Sequence, residues 1–297
     1  MLKRKALNKI FISTVIFFIV FVIYNLHLVN TKEIKETVHK EKETIYTINK
    51  DNYISKTEVY VGKVFTLQDK IKSKLETMTE ENDKNSLLPS YFNPILPKNT
   101  KVLDVIVEDS LVKINFSKEL NNITEKQSEK MIESIIYTIT NEDILGIEIY
   151  VEGNMLKYVP HTKKELPTIL TRKYGINKTY DLSSYDDITK LFLNYYMCDN
   201  NNYYEVPVTK YVNDTREKLE IIIEELSKVL PNSKLISLLD NKEYEYKIED
   251  NSITINFNSD ISKKESDIII SSLLNNYDID KVQILINKVK KYETTKR

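Results

Sequence analysis

The chain has 297 residues, of which 41% are hydrophobic and 29% are charged, and its formal net charge is −1. This length and composition predict about two globular domains with packed cores. The balanced charge argues against a nucleic-acid binder, because such a protein needs a basic excess. The single cysteine, Cys198, cannot form an internal disulfide and lacks the neighbours of a thiolate metal site.

The amino terminus has the pattern of a membrane anchor. Residues 1–9 form a basic tail, and residues 10–29 are predominantly apolar. About 20 such residues let a helix cross a ~30 Å hydrocarbon core, and the basic flank favours a cytoplasmic tail. A cleaved signal peptide is the alternative, but the following segment lacks the small residues of a cleavage site. We therefore expect a single-pass protein of the cell membrane whose C-terminal bulk is extracytoplasmic.

A first module is expected over residues 44–160, after a charged spacer at 30–43 that is dense in Lys and Glu. Apolar residues at helical spacing, such as Ile71 and Leu75, predict helices, and alternating apolar residues predict strands. The expected helices span 67–78 and 126–139. The expected strands span 44–49, 54–61, 101–108, 111–117 and 147–153.

A connector at 161–186 separates this module from a second one at 187–290. Pro167 and Gly175 make the connector look ordered, neither a helix nor a flexible linker. In the second module a helix is expected after an N-cap at 213–214, and another over 263–274. The expected strands span 191–197, 203–212, 243–248, 252–257 and 282–287. The tail at 291–297 is polar and predicted to fray.

An internal repeat connects the two modules. VEDSLVKINFS at 107–117 corresponds to IEDNSITINFN at 248–258, with Glu-Asp and Ile-Asn-Phe at matching places. Each module then has the order β-β-α-β-β-α-β, which predicts an α+β fold built twice, with helices on one face of a small sheet.

The sequence offers no catalytic, cofactor-binding or metal-ligating set. The three histidines, His27, His39 and His161, have no partners at ligand spacing, and four glycines make no phosphate-binding loop. Asp109 and Asp250, each after a Glu, suggest either paired carboxylates or hairpin turns, and the turn is preferred because Asp favours that place.

Two groups of residues are candidates for contacts with other proteins. Asn115 and Asn256 lie between Ile and Phe in matching strands, where a solvent-facing side chain is preferred over an interface contact. Tyrosines crowd one predicted hairpin. Tyrosine is enriched at interfaces, but strand propensity and codon usage explain the crowding equally well. The candidate surface residues are Tyr195, Tyr196, Tyr203, Tyr204 and Tyr211.

The segment 87–120, with a Pro-containing turn at 97–100 and the strand ending INFS at 114–117, resembles the core of the GerM domain. The segment YYEVPVTKYVND at 203–214 is similar to the family's hairpin V-P-V-T-R-x-V that precedes the first helix, with Lys210 where Arg is usual. The connector at 159–177 resembles the segment that joins tandem GerM domains. The resemblance covers about 44–290 of the chain.

This resemblance implies a non-enzymatic adaptor of sporulation or spore germination, similar to ring-building modules. Tandem copies are associated with the complex that bridges mother cell and forespore. The implied partners are other envelope proteins or further copies of the chain, which an open sheet edge can contact. The alternative is a cell-wall-binding germination factor that contacts peptidoglycan through the tyrosine hairpin or regulates a hydrolase. No cofactor and no nucleic acid are expected.

Overall fold

The computed structural model describes residues 40–62, 66–80, 87–228, 233–236, 239 and 242–295. The predicted transmembrane helix at 10–29, the basic tail and most of the spacer lie outside these ranges. Within the described ranges, no helix combines the length and the apolar character that a bilayer span requires. Residues 40–297 belong to one compact unit.

The described part of the first repeat contains three hairpins and two α-helices. Helix α1 begins after Thr66, whose side chain accepts a hydrogen bond from the Asp69 amide at 3.1 Å. The strands and helices of this repeat are β1 (Lys40–Asn49), β2 (Ile54–Gly62), α1 (Leu67–Thr77), β3 (Phe92–Asn93), β4 (Val102–Glu108), β5 (Leu111–Phe116), α2 (Glu125–Ile139), β6 (Gly146–Val151) and β7 (Asn154–Met155).

The second repeat has the same order of elements, except that a short strand precedes it and no strand among the described residues corresponds to β3. Helix α4 begins with a capping box, in which the Ser262 and Glu265 side chains each accept from the other's backbone amide. After a short strand β8 (Thr179–Asp181), the elements are β9 (Ile188–Asp199), β10 (Asn202–Asn213), α3 (Lys218–Ser227), β11 (Tyr244–Glu249), β12 (Ser252–Phe257), α4 (Lys263–Asn276), β13 (Lys281–Ile286) and β14 (Val289–Thr295).

Each repeat contains one three-stranded and one four-stranded sheet. The four-stranded sheets have the orders β4-β5-β6-β7 and β11-β12-β13-β14, and their two middle strands are parallel across a helical crossover. The three-stranded sheets are β2-β1-β3 and β8-β10-β9. Alternate residues of the middle strands point into two separate cores, where Phe116 and Phe257 are both completely buried. The α+β prediction is therefore confirmed.

Asn115 and Asn256 have the same structural role in the two repeats. The Asn115 side-chain oxygen accepts from the Gly153 amide at 2.9 Å, and that of Asn256 accepts from the Lys288 amide at 2.7 Å. Gly153 and Lys288 are the second residues of two-residue turns with positive φ at both positions. Each asparagine therefore secures the last hairpin of its sheet, a role that neither interpretation of the sequence included.

The structure differs from the prediction at three element ends. Strand β1 begins at Lys40, inside the predicted spacer, and β14 occupies most of the tail predicted to fray. Both segments contain many charged residues. This composition fits their positions, because β14 is an edge strand and the start of β1 is a strand end, and both lie beside solvent. Helix α3 begins after Glu217, not at 213–214, because Asp214 instead binds the Arg216 backbone and guanidinium.

Replacing Asn115 or Asn256 by Ala should lower the free energy of unfolding by about 1 kcal/mol each, since one hydrogen bond to a turn amide is lost. Asn256→Asp keeps the acceptor oxygen and should cost less than Asn256→Ala. Chemical denaturation followed by circular dichroism measures these differences. Equal stability of Asn256→Ala and the native chain would show that the turn does not need the side chain.

Candidate functional site

The two repeats meet at the side chain of Asn177, which lies in the connector and is 8% exposed. Its amide nitrogen donates to the carbonyl of Ile54 at 2.7 Å and to that of Pro207 at 2.8 Å. Its amide oxygen accepts from the Ile54 backbone N–H at 2.9 Å. One side chain therefore bridges strand β2 of the first repeat and strand β10 of the second.

Local chemistry explains why an asparagine lies at this junction. Asn177 has a φ of 45°, a left-handed conformation that Asn adopts more readily than most residues. Pro207 has no backbone N–H, so only its carbonyl needs a partner here, while β10 keeps its register with β9 through this residue. The Asn177 side-chain amide presents both a donor and an acceptor to the neighbouring strands. It thereby forms hydrogen bonds with buried backbone groups that would destabilise the fold if they had no partner.

A buried ion-pair network holds the Asn177 backbone. The Glu133 carboxylate on α2 accepts from the Asn177 N–H at 2.9 Å and lies 3.0 Å from the Lys178 ammonium. Lys178 also contacts Glu129 at 2.7 Å, and Glu129 pairs with Lys164 as well. The Glu133 and Lys178 side chains are only 4% and 9% exposed, so neither charge can be left without the other at low cost.

Burial and pairing shift the two carboxyl groups in opposite directions. Burial raises the pKa of Glu133 above its usual range, although Lys178 opposes that shift. Burial also acts to raise the pKa of Glu129, but hydrogen bonds from Lys164 and Lys178 outweigh it and lower that pKa. The network therefore joins the connector to α2 through two carboxylates, of which Glu133 is deeply buried and Glu129 is more exposed.

Each repeat also contributes a tyrosine to the core of the other. Tyr204 of β10 stacks on Tyr91 at 5.2 Å between ring centroids and packs against the first core. Tyr53 packs against the second core, and its hydroxyl lies 3.2 Å from the Ser233 hydroxyl. These reciprocal contacts give the junction apolar area in addition to hydrogen bonds.

A groove with a volume of about 440 Å³ opens beside this junction. Its walls come from the β1–β2 turn, helix α2 and the start of β8. All of its lining residues are polar or charged, and two of them are tyrosines. The lining residues are Asp51, Asn52, Tyr53, Lys126, Glu129, Lys130, Glu133, Asn177, Lys178, Thr179 and Tyr180.

The structure separates the five tyrosines of the predicted surface. Tyr195 and Tyr196 are only 2% and 8% exposed, so the prediction of a surface role is wrong for these two. Both belong to the second core, one on each face of β9, because residues on both faces of this strand are buried. Tyr204 packs at the junction, against Tyr91 and the first core. Tyr203 is 43% exposed, with the Lys264 ammonium 3.3 Å from its ring centroid, and Tyr211 is partly exposed.

The other residues considered from the sequence have structural surroundings. Asp109 and Asp250 lie exposed at hairpin tips, as the turn interpretation predicts. His161 contacts the Asn121 carbonyl at 2.8 Å, whereas His27 and His39 lie outside the described residues. Among the described residues, His, Cys, Asp and Glu side chains form no group of three that could hold a metal ion.

The comparisons with known proteins agree with this architecture. Residues 44–157 match the Germane family model, described as sporulation and spore germination. The spore germination protein GerM of Bacillus subtilis (strain 168) is 27% identical over 245 residues, which cover 78% of this chain and 65% of GerM. The matched region thus spans slightly less than two thirds of that relative's length.

A solved structure of the tandem GerMN domains of the sporulation protein GerM from Bacillus subtilis superposes with a TM-score of 0.77. It covers 87% of this chain and 97% of that structure at 23% identity, so it shows the tandem fold. Residues 44–157 thus match this family, and the chain is similar over most of its length to tandem GerMN domains. The resemblance of the sequence to tandem GerM domains is confirmed, and the two repeats share the fold of that tandem structure.

Replacing Asn177 by Ala should lower the free energy of unfolding by at least about 3 kcal/mol. The change leaves three buried backbone groups without a hydrogen-bond partner. Each such group costs about 1–3 kcal/mol when unpaired. Asn287→Ala is the matched control, because Asn287 also has positive φ but lies in an exposed turn. Chemical denaturation measures both variants. A loss at position 177 no greater than that at 287 would contradict the bridging role.

Lys178→Met should cost about 3–5 kcal/mol at neutral pH because Glu133 loses its buried partner. Without Lys178 the pKa of Glu133 rises further, so the folded variant takes up a proton more readily than the unfolded chain. The cost should therefore grow as pH rises through the Glu133 pKa and shrink as pH falls below it. Unfolding measured across this pH range tests the sign. Lys247→Met, at an exposed pair, should change little.

Proposed function

We propose that this chain is a membrane-anchored, non-enzymatic scaffold or adaptor of the sporulating or germinating cell's envelope. The relationship to a spore germination protein supports the biological setting. The anchor and the extracytoplasmic location rest on the sequence of residues 1–29. The scaffold role rests on the edges of the four-stranded sheets and on the junction that fixes them.

The observation that carries the proposal is an equivalent pair of edge strands. Strands β4 and β11 occupy the same place in the two repeats, at the outer edge of a four-stranded sheet. Within the described residues, neither has a strand partner on its outer side. Unpaired edges are places where another chain can add a strand, and native proteins usually protect them with charges.

Both edges carry exposed apolar side chains in addition to charged ones. Leu103 and Ile106 on β4 are 46% and 45% exposed, and Tyr246 and Ile248 on β11 are 37% and 38% exposed. Single exposed apolar residues are common, but apolar pairs on two equivalent free edges favour a contact with protein. Contacts through such edges join the chain to identical neighbours or to other envelope proteins. Because the edges belong to different repeats, one chain presents two of them.

The double variant Leu103→Lys/Ile106→Lys should abolish self-association or partner co-purification while leaving the fold intact, since both side chains are already exposed. Leu145→Lys is the matched control, because Leu145 is 60% exposed on a loop outside these edges. Sedimentation velocity of the full chain in detergent gives the oligomeric state, and affinity capture from sporulating cells gives the partners.

A native chain that is monomeric at all concentrations and captures no envelope protein would contradict the scaffold role. Equal association of the double variant and the Leu145→Lys control would reject the β4 edge as the contact.

A further inference from the structure

The groove beside Asn177 has features that the scaffold role does not use. It lies between two domains and has a volume of about 440 Å³, within the range of about 300–1,000 Å³ typical of small-ligand sites. Such sites occur preferentially at domain interfaces, where two rigid bodies supply different walls. The buried junction supplies a fixed floor, because Asn177 and Glu133 belong to it.

The groove lining contains three lysines and three carboxylates, and two of the lysines have no carboxylate partner among the described residues. Its three carboxylates are all paired with lysines, Asp51 with Lys234 and the two glutamates with Lys178. Lys126 and Lys130 make no ion pair among the described residues, although the Lys130 ammonium donates to the Asn52 carbonyl. Two ammonium groups on one helix face therefore remain available to an anion in the groove.

The opposite wall presents a fixed aromatic ring. Tyr180 is 63% exposed although its ring stacks on Tyr211 at 4.9 Å between centroids and 11° between planes. Stacking on one face restricts the ring, so it offers contact area at little cost in conformational entropy. Asn52 and Thr179 add exposed polar groups beside it. A wall of this kind suits a molecule with both apolar ring faces and hydroxyl edges.

We propose that this groove binds a carboxylate-bearing glycan. The C–H face of a sugar ring packs on Tyr180, its hydroxyls bond to Asn52 and Thr179, and a carboxylate contacts Lys126 and Lys130. Peptidoglycan fragments, with lactyl and peptide carboxylates, and uronic-acid oligosaccharides share this chemistry. The proposal is independent of the free edges, so a monomeric chain could bind a glycan and an oligomeric one could fail to do so.

Calorimetric titration of the full-length chain in detergent tests the proposal. The probes are soluble disaccharide-peptides from purified peptidoglycan, a glucuronic-acid oligosaccharide, and polyglutamate as an anion without sugar. Saturable binding of either glycan, without competition from polyglutamate, supports the proposal, and the glycan that binds identifies the source. Lack of binding by both glycans overturns it. Displacement by polyglutamate as effective as by glycan also overturns it and indicates a groove for acidic peptides.

Variants separate the two walls. Lys126→Glu and Tyr180→Ala should each weaken glycan binding by about tenfold or more, the equivalent of one charge-assisted contact. Tyr180→Phe keeps the ring and should bind like the native chain, which excludes a folding defect as the cause. Lys291→Glu and Tyr185→Ala are controls at exposed positions outside the groove. Equal losses in the controls, or undiminished binding in both groove variants, would overturn the proposal.

Discussion

The hydrogen bonds of Asn177 are the constraint on which the arrangement of the two repeats depends. Each repeat has its own core, so each can bury most of its apolar residues without the other. Neither repeat alone can supply hydrogen-bond partners for the buried backbone groups where β2 and β10 approach each other. One side-chain amide serves both strands there, and Glu133 fixes its backbone in turn. The relative position of the repeats therefore depends on polar groups that must all be paired together.

This constraint connects the fold to both proposals. Two free edges on a flexible pair of domains would meet partners in many orientations, whereas a fixed pair presents them in one. Preorganisation of this kind lowers the entropy lost on binding. The groove depends on the same junction, because its floor includes Asn177 and Lys178 and its walls belong to different repeats. A change that loosens the junction should affect both properties while leaving the separate cores folded.

The sequence predicts elements whose signal is local. The alternation around Asp109 and Asp250 predicts the hairpins, and helical spacing predicts α1 and α2. The charged strand β14 is missed because an edge strand beside solvent has the composition of a polar tail. The tyrosine hairpin is misjudged because alternation cannot show which face meets a second domain. Asn177 is missed because its partners lie 123 and 30 residues away, and a single Asn after Gly175 gives only a weak turn signal.

The two repeats should behave as one rigid body, and a distance distribution between them tests this most directly. Cys198, the only cysteine of the chain, is exposed in the second repeat and takes a spin label, and Glu142→Cys supplies a second exposed label in the first. Double electron–electron resonance should give one narrow distribution in the native background and a broad one after Asn177→Ala. A broad or multiple distribution in the native background would contradict the account.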